Sequence, residues 1–147
     1  MPAPRFAFST ALKSSSDNSS HQIYIMGGIE DGSPVTSVNS GEGLVVETIW
    51  VLSIPSFQWT QLPVRSKTTA ANPGPRVSSK CQAIGEHYIF CYGGRHALSY
   101  SAPGTCDQKA NAAFLFDINT LTWTDEFTPN EGTYKIPAEV IKNIGGK

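Results

Sequence analysis

Apolar and polar residues alternate in short runs along this chain, and the runs come twice. Ile23-Tyr24-Ile25-Met26-Gly27-Gly28 and Tyr88-Ile89-Phe90-Cys91-Tyr92-Gly93-Gly94 share one pattern, a strand rich in β-branched and aromatic residues stopped by two glycines. Ahead of them, Arg5 to Leu12 and Val77 to Ile84 alternate well enough for a first strand, each behind a Pro-x-Pro-Arg run. After them, Leu44 to Ile54 and Ala112 to Ile118 predict a third strand. Phe57 to Leu62 and Leu121 to Phe127 predict a fourth, with Trp59 and Trp123 at matching places. Residues 44 to 62 and 108 to 126 match without a gap, so the chain holds one four-stranded unit written twice.

The units divide the chain into 1–72 and 73–130, followed by 131–147, where the pattern lapses into one short turn of helix or a last strand. The first two strands of the second unit are joined by the tight Gly85-Glu86-His87, whereas the first unit carries Lys13 to His21 there. Two glycines after a strand suit positive φ or close backbone approach. A phosphate cradle would need a helix start immediately after them, and Ile29 to Pro34 offers none.

Four short-connected strands make an up-and-down antiparallel sheet whose loops alternate between two ends. Ile29 to Gly43, Pro63 to Asn72 and Arg95 to Asn111 then share one end, and that end is the expected binding surface. Its candidate recognition groups are Glu30, Asp31, Glu42, Arg65, Lys67, Arg95, His96, Tyr100, Asp107 and Lys109, whose mixed signs suit protein contacts better than one charged ligand.

Composition narrows the function classes. Eleven basic against twelve acidic residues leave no field for nucleic acid or an anionic membrane. No apolar run approaches the roughly 18 to 20 residues of a membrane span. His21, His87 and His96 fall in separate loops, no GxSxG-type nucleophile motif occurs, and no CxxC pair marks a zinc site, so no catalytic, cofactor or metal residue is assigned. The three cysteines read as Cys91 buried in a strand as a small hydrophobe, with a Cys81 to Cys106 disulfide open to an oxidising compartment. Asn18-Ser19-Ser20 is an acceptor sequon in a polar loop.

A four-stranded unit with Gly-Gly after strand two and Trp on strand four resembles the kelch repeat, one blade of a β-propeller. The residues carrying the resemblance are Arg5, Gly27, Gly28, Trp50 and Trp59 in the first blade and Arg76, Gly93, Gly94, Phe114 and Trp123 in the second. More narrowly, the sequence resembles the C-terminal blades of filamentous-fungal kelch or galactose-oxidase-like proteins, in which a propeller stands upstream and a membrane span often follows. The resemblance implies an all-β fold of two four-stranded antiparallel blades, an incomplete β-propeller. It also implies a non-catalytic protein-interaction module, with tryptophans packed between sheets. Two alternatives stay open: a segment of a galactose-oxidase-like enzyme, for whose copper ligands no matching motif is present, and a structural cell-surface segment. Closed propellers use about four to eight blades. Two blades leave apolar faces uncovered, which predicts either pairing with missing blades or self-association.

Overall fold

The computed structural model describes residues 1–30, 48–68, 71–96, 113–129 and 132–144. In chain order the strands are β1 (Arg5–Phe6), β2 (Ser9–Ser14), β3 (His21–Met26), β4 (Ile29–Glu30), β5 (Ile49–Ile54), β6 (Gln58–Leu62), β7 (Arg65–Ser66), β8 (Arg76–Val77), β9 (Lys80–Ile84), β10 (Tyr88–Tyr92), β11 (Arg95–His96), β12 (Ala113–Asp117) and β13 (Thr122–Thr124). One helix, α1 (Ala138–Ile144), closes the described chain. The architecture is all-β. β2-β3-β5-β6 form one antiparallel sheet, the first blade, and β9-β10-β12-β13 form the second in the same order.

The first predicted strand of each unit is in fact two. Ala7 and Ser78 sit at φ 56° and 55°, a conformation that an L-residue enters only at a cost, and the strand breaks there. The piece before each break turns aside to pair with the residues after Gly-Gly. Arg5 opposes Glu30, and Arg95 opposes Val77, in two small antiparallel ribbons at one end of the blades. Part of each predicted loop, Ile29–Glu30 and Arg95–His96, is therefore strand.

The connection after β6 also departs from a plain loop. β7 pairs in parallel with β13, Arg65 N donating to Leu121 O and Lys67 N to Trp123 O, so the exit of the first blade becomes the outer strand of the second. On the first blade the matching edge is met by α1 instead. Asn143 Nδ2 donates to Trp59 O at 3.0 Å and to Thr60 Oγ1 at 3.0 Å. The helix thus stands against β6 where the linker stands against β13, with Trp59 O and Trp123 O as equivalent acceptors.

The core lies between the blades. The alternate residues Tyr24, Met26, Ile49, Val51 and Leu62 of the first blade meet Ile89, Cys91, Phe114, Phe116 and Trp123 of the second, with Val140 of α1 in the same cluster. Gln22 is fully buried and accepts from Tyr134 Oη at 2.9 Å, while Tyr134 Oη and Tyr24 Oη are 3.1 Å apart. Burial pushes the Tyr134 phenol up to about 12 and Tyr24 well above its ordinary range, so both stay neutral donors near neutral pH.

At the other end, the long first hairpin is ordered by its own side chains. Asp17 Oδ1 accepts from Ser15 Oγ (2.6 Å), Ser19 N (3.0 Å) and Ser19 Oγ (2.8 Å), which holds its carboxyl at about 2. A depressed folded-state value means that the turn's contribution is present above the ordinary carboxyl range and is lost as pH falls through about 2. An NMR titration should find the Asp17 midpoint at about 2, and Ser15→Ala should move it upward. A midpoint already in the ordinary range would mean that these hydrogen bonds do not persist in solution. Asn18, the sequon residue, is exposed in this turn at φ 56°.

Candidate functional site

Both blades build the end that carries the small ribbons in the same way. Arg5 reaches back to the carbonyl of Gly27 (Nη1 to O, 3.4 Å), and Arg76 reaches the carbonyl of Gly93 with Nε (3.3 Å) and Nη2 (3.1 Å). The second glycine of each pair lies on its own first strand. A Cβ on Gly28 would stand 2.8 Å from Phe6 O, and one on Gly94 2.6 Å from Val77 O. The first glycines differ. Gly28 N donates to Arg76 O across the joint between blades at 3.0 Å, and a Cβ on Gly27 would meet that same oxygen at 2.5 Å. A Cβ on Gly93 meets nothing within 4 Å. Further links cross the joint: Ser78 N donates to Ala7 O at 2.8 Å, and Ser9 Oγ stands 2.8 Å from Ser79 Oγ.

Of the predicted recognition groups, Glu30 is held by Arg5 in an ion pair at 3.0 Å, the arginine side chain being almost fully buried. Lys67 is paired with Glu126, which raises its pKa, and both side chains remain open to solvent. Arg65 is exposed on β7. Arg95 and His96 are half-buried on β11, with the His96 ring directly over Gly74. Asp31, Glu42, Tyr100, Asp107 and Lys109 lie outside the described residues. Glu30 and Lys67 each have a partner of the other sign.

A cavity of about 540 Å³ opens between the blades at this end, walled by Met26, Leu62, Arg76, Phe114 and Trp123, with Arg65 at its rim. The Arg76 guanidinium lies 4.7 Å over the Phe114 ring, a cation–π contact inside an apolar wall. Cys81 and Cys91 line the same wall and are joined as a disulfide. That corrects one expectation: Cys81 is bonded to Cys91 and not to Cys106, which lies outside the described residues; Cys91 is buried in its strand as well as bonded. The signal was in the sequence. A three-residue turn at Gly85-Glu86-His87 pairs Ile84 with Tyr88, and counting outward puts Cys81 opposite Cys91.

Among the described residues no group of three His, Cys, Asp or Glu side chains could hold a metal, and no helix is long and apolar enough to cross a membrane. His21 Nδ1 is 2.8 Å from Ser14 Oγ, and His87 Nε2 is 3.8 Å from Asp117 Oδ1, each within its own blade.

No protein-family model matches the chain. Over 121 residues, 81% of its length, the chain is 31% identical to a kelch repeat-containing protein of Arthroderma benhamiae. The repeats are kelch-type. The chain spans 15% of that fungal relative's length, so what it shares is a short stretch of a much longer protein. In kelch terms, Arg76, the Gly27-Gly28 pair and Trp123 lie at the joint between two blades of a partial, open propeller.

Proposed function

We propose that this chain is a kelch-type protein-interaction module that binds a partner protein through the end of the blades carrying the loops after Gly27-Gly28 and Gly93-Gly94 and the linker after β6. The division into a blade at 1–72, a blade at 73–130 and an extension at 131–147 belongs to the same reading. The observation that carries it is the repeated platform. In both blades an arginine clasps the first Gly carbonyl and a two-residue ribbon roots the following loop, so that both loops leave a rigid base at one end. Glu30 at the foot of the first loop, Arg65 and Lys67 on the exposed linker, and Arg95 and His96 at the foot of the second loop are the described members of the binding set.

The test is positional. A photo-crosslinking residue placed at Arg65 should join a partner from native extract, one placed at Asn18 at the opposite end should not, and the purified partner should lose affinity on Arg65→Glu. Equal crosslinking from both ends, or from Asn18 alone, would sink the reading. The Cys81–Cys91 disulfide and the exposed Asn18 favour a second reading, a structural segment in an oxidising, cell-surface setting. Glycan on Asn18 in secreted material, without any crosslink from Arg65, would support it.

A further inference from the structure

The joint between the two blades is made of unlike faces. The first blade contributes the face of Tyr24, Met26 and Val51, and the second contributes the face of Val77, Phe116 and Trp123. Strand register carries each kind of face onto the outside of the chain as well. Leu12, Ile23, Leu52 and Trp59 stand side by side across β2, β3, β5 and β6, in the same row that Ala83, Ile89, Phe116 and Trp123 form across the second blade. Beside that row Phe6, the counterpart of Val77, is 57% exposed where Val77 is 3%. On the far side of the second blade Tyr92, the counterpart of Met26, is 51% exposed where Met26 is 4%, and its ring stacks with Phe90 at 6.0 Å. Gly93 completes the set. At its counterpart Gly27 the Arg76 carbonyl of the next blade fills the Cβ direction, and at Gly93 that space is open.

We propose that copies of this chain associate head to tail through a repeat of the internal joint. The Phe90 and Tyr92 face of one copy receives the Phe6, Leu12 and Leu52 face of the next, with the second copy's Arg5 carbonyl beside Gly93. The occupant is a second copy because the chain already contains this interface once and exposes one half of it at either end. The edge of β6 is no obstacle, since α1 covers it and the linker of a preceding blade is not needed there. Such contacts are heterologous and close into a ring when the rotation permits. Closed propellers hold about four to eight blades, so the ring would contain about two to four copies.

The absolute mass of the full chain by light scattering, over a wide concentration range, should be about two to four times that of the monomer. Phe6→Asp and Tyr92→Asp, both at exposed positions, should each reduce it to one copy while near-ultraviolet circular dichroism keeps the tryptophan signal. Mixed in equal amounts, the two variants should form a dimer, because each retains the face that the other lacks. Phe6→Ser and Tyr92→Ser are milder second variants should the aspartates disturb folding. A wild-type chain that stays monomeric overturns the proposal. So does an oligomer that survives Tyr92→Asp, which would be a twofold contact through the first blade alone, or a failure of the two variants to complement.

Discussion

Gly27→Ala should cost about 3 to 5 kcal/mol of stability, while Gly93→Ala, at the matching place in the other blade, should cost about 1 kcal/mol. Both glycines sit at nearly the same backbone angle, φ 64° and 66°, so the cost of placing an L-residue in the left-handed region is common to both. What differs is the neighbour. An alanine Cβ at Gly27 would come within 2.5 Å of the Arg76 carbonyl oxygen, which is backbone and is already held by Gly28 N. It can yield only by opening the joint between blades. The Gly93 side is open. Urea midpoints at a concentration low enough to keep single copies, with the slope unchanged, would measure the difference. Equal costs at the two glycines would mean that the blades do not meet through Arg76.

Trp123→Ala should cost about 3 to 5 kcal/mol, and Trp59→Ala clearly less. On the pattern alone the two tryptophans are equivalent, and both should pack between sheets. In the structure Trp123 is buried to 6% exposure and tilts against Phe116 with ring centroids 5.1 Å apart, whereas Trp59 is only partly buried on the outer face of the first blade. Removing Trp123 leaves a hole in the core between the blades, next to the cavity that it already lines. Removing Trp59 takes away a residue with solvent on one side. Denaturant unfolding of the two variants under the same conditions decides it, and equal losses would show that the outer face is covered in the isolated chain.

The repeat, the eight main strands and the gapless match of their second halves were legible because side-chain alternation reports directly on a half-buried sheet. What escaped the pattern is geometry that leaves no periodic trace. The breaks at Ala7 and Ser78 fall on residues that do not favour positive φ, where tertiary pairing overrides local preference. β7 has only the polar Arg65 and Ser66, and what places it is backbone bonding to Leu121 and Trp123. The partners of the candidate binding groups escaped the pattern for the same reason. Sequence shows which charges share an end, but the pairing of Glu30 with Arg5 and of Lys67 with Glu126 depends on strand neighbours far apart in the chain. The Cys81–Cys91 bond, by contrast, follows from a hairpin that was already drawn.

The place of α1 bears on the order in which the two blades can form during synthesis. Blade order along the chain would let the first sheet form while the second is still being made, as domains commonly do. Yet the edge of β6 is completed by Asn143, 84 residues further on, and the buried Gln22 takes its hydrogen bond from Tyr134, 112 residues further on. Contacts of such long range come late, because the intervening chain must first be closed into a loop. The earlier of the two blades is thus completed after the later one, and an outer strand waits, open to any passing partner strand, until α1 has left the ribosome.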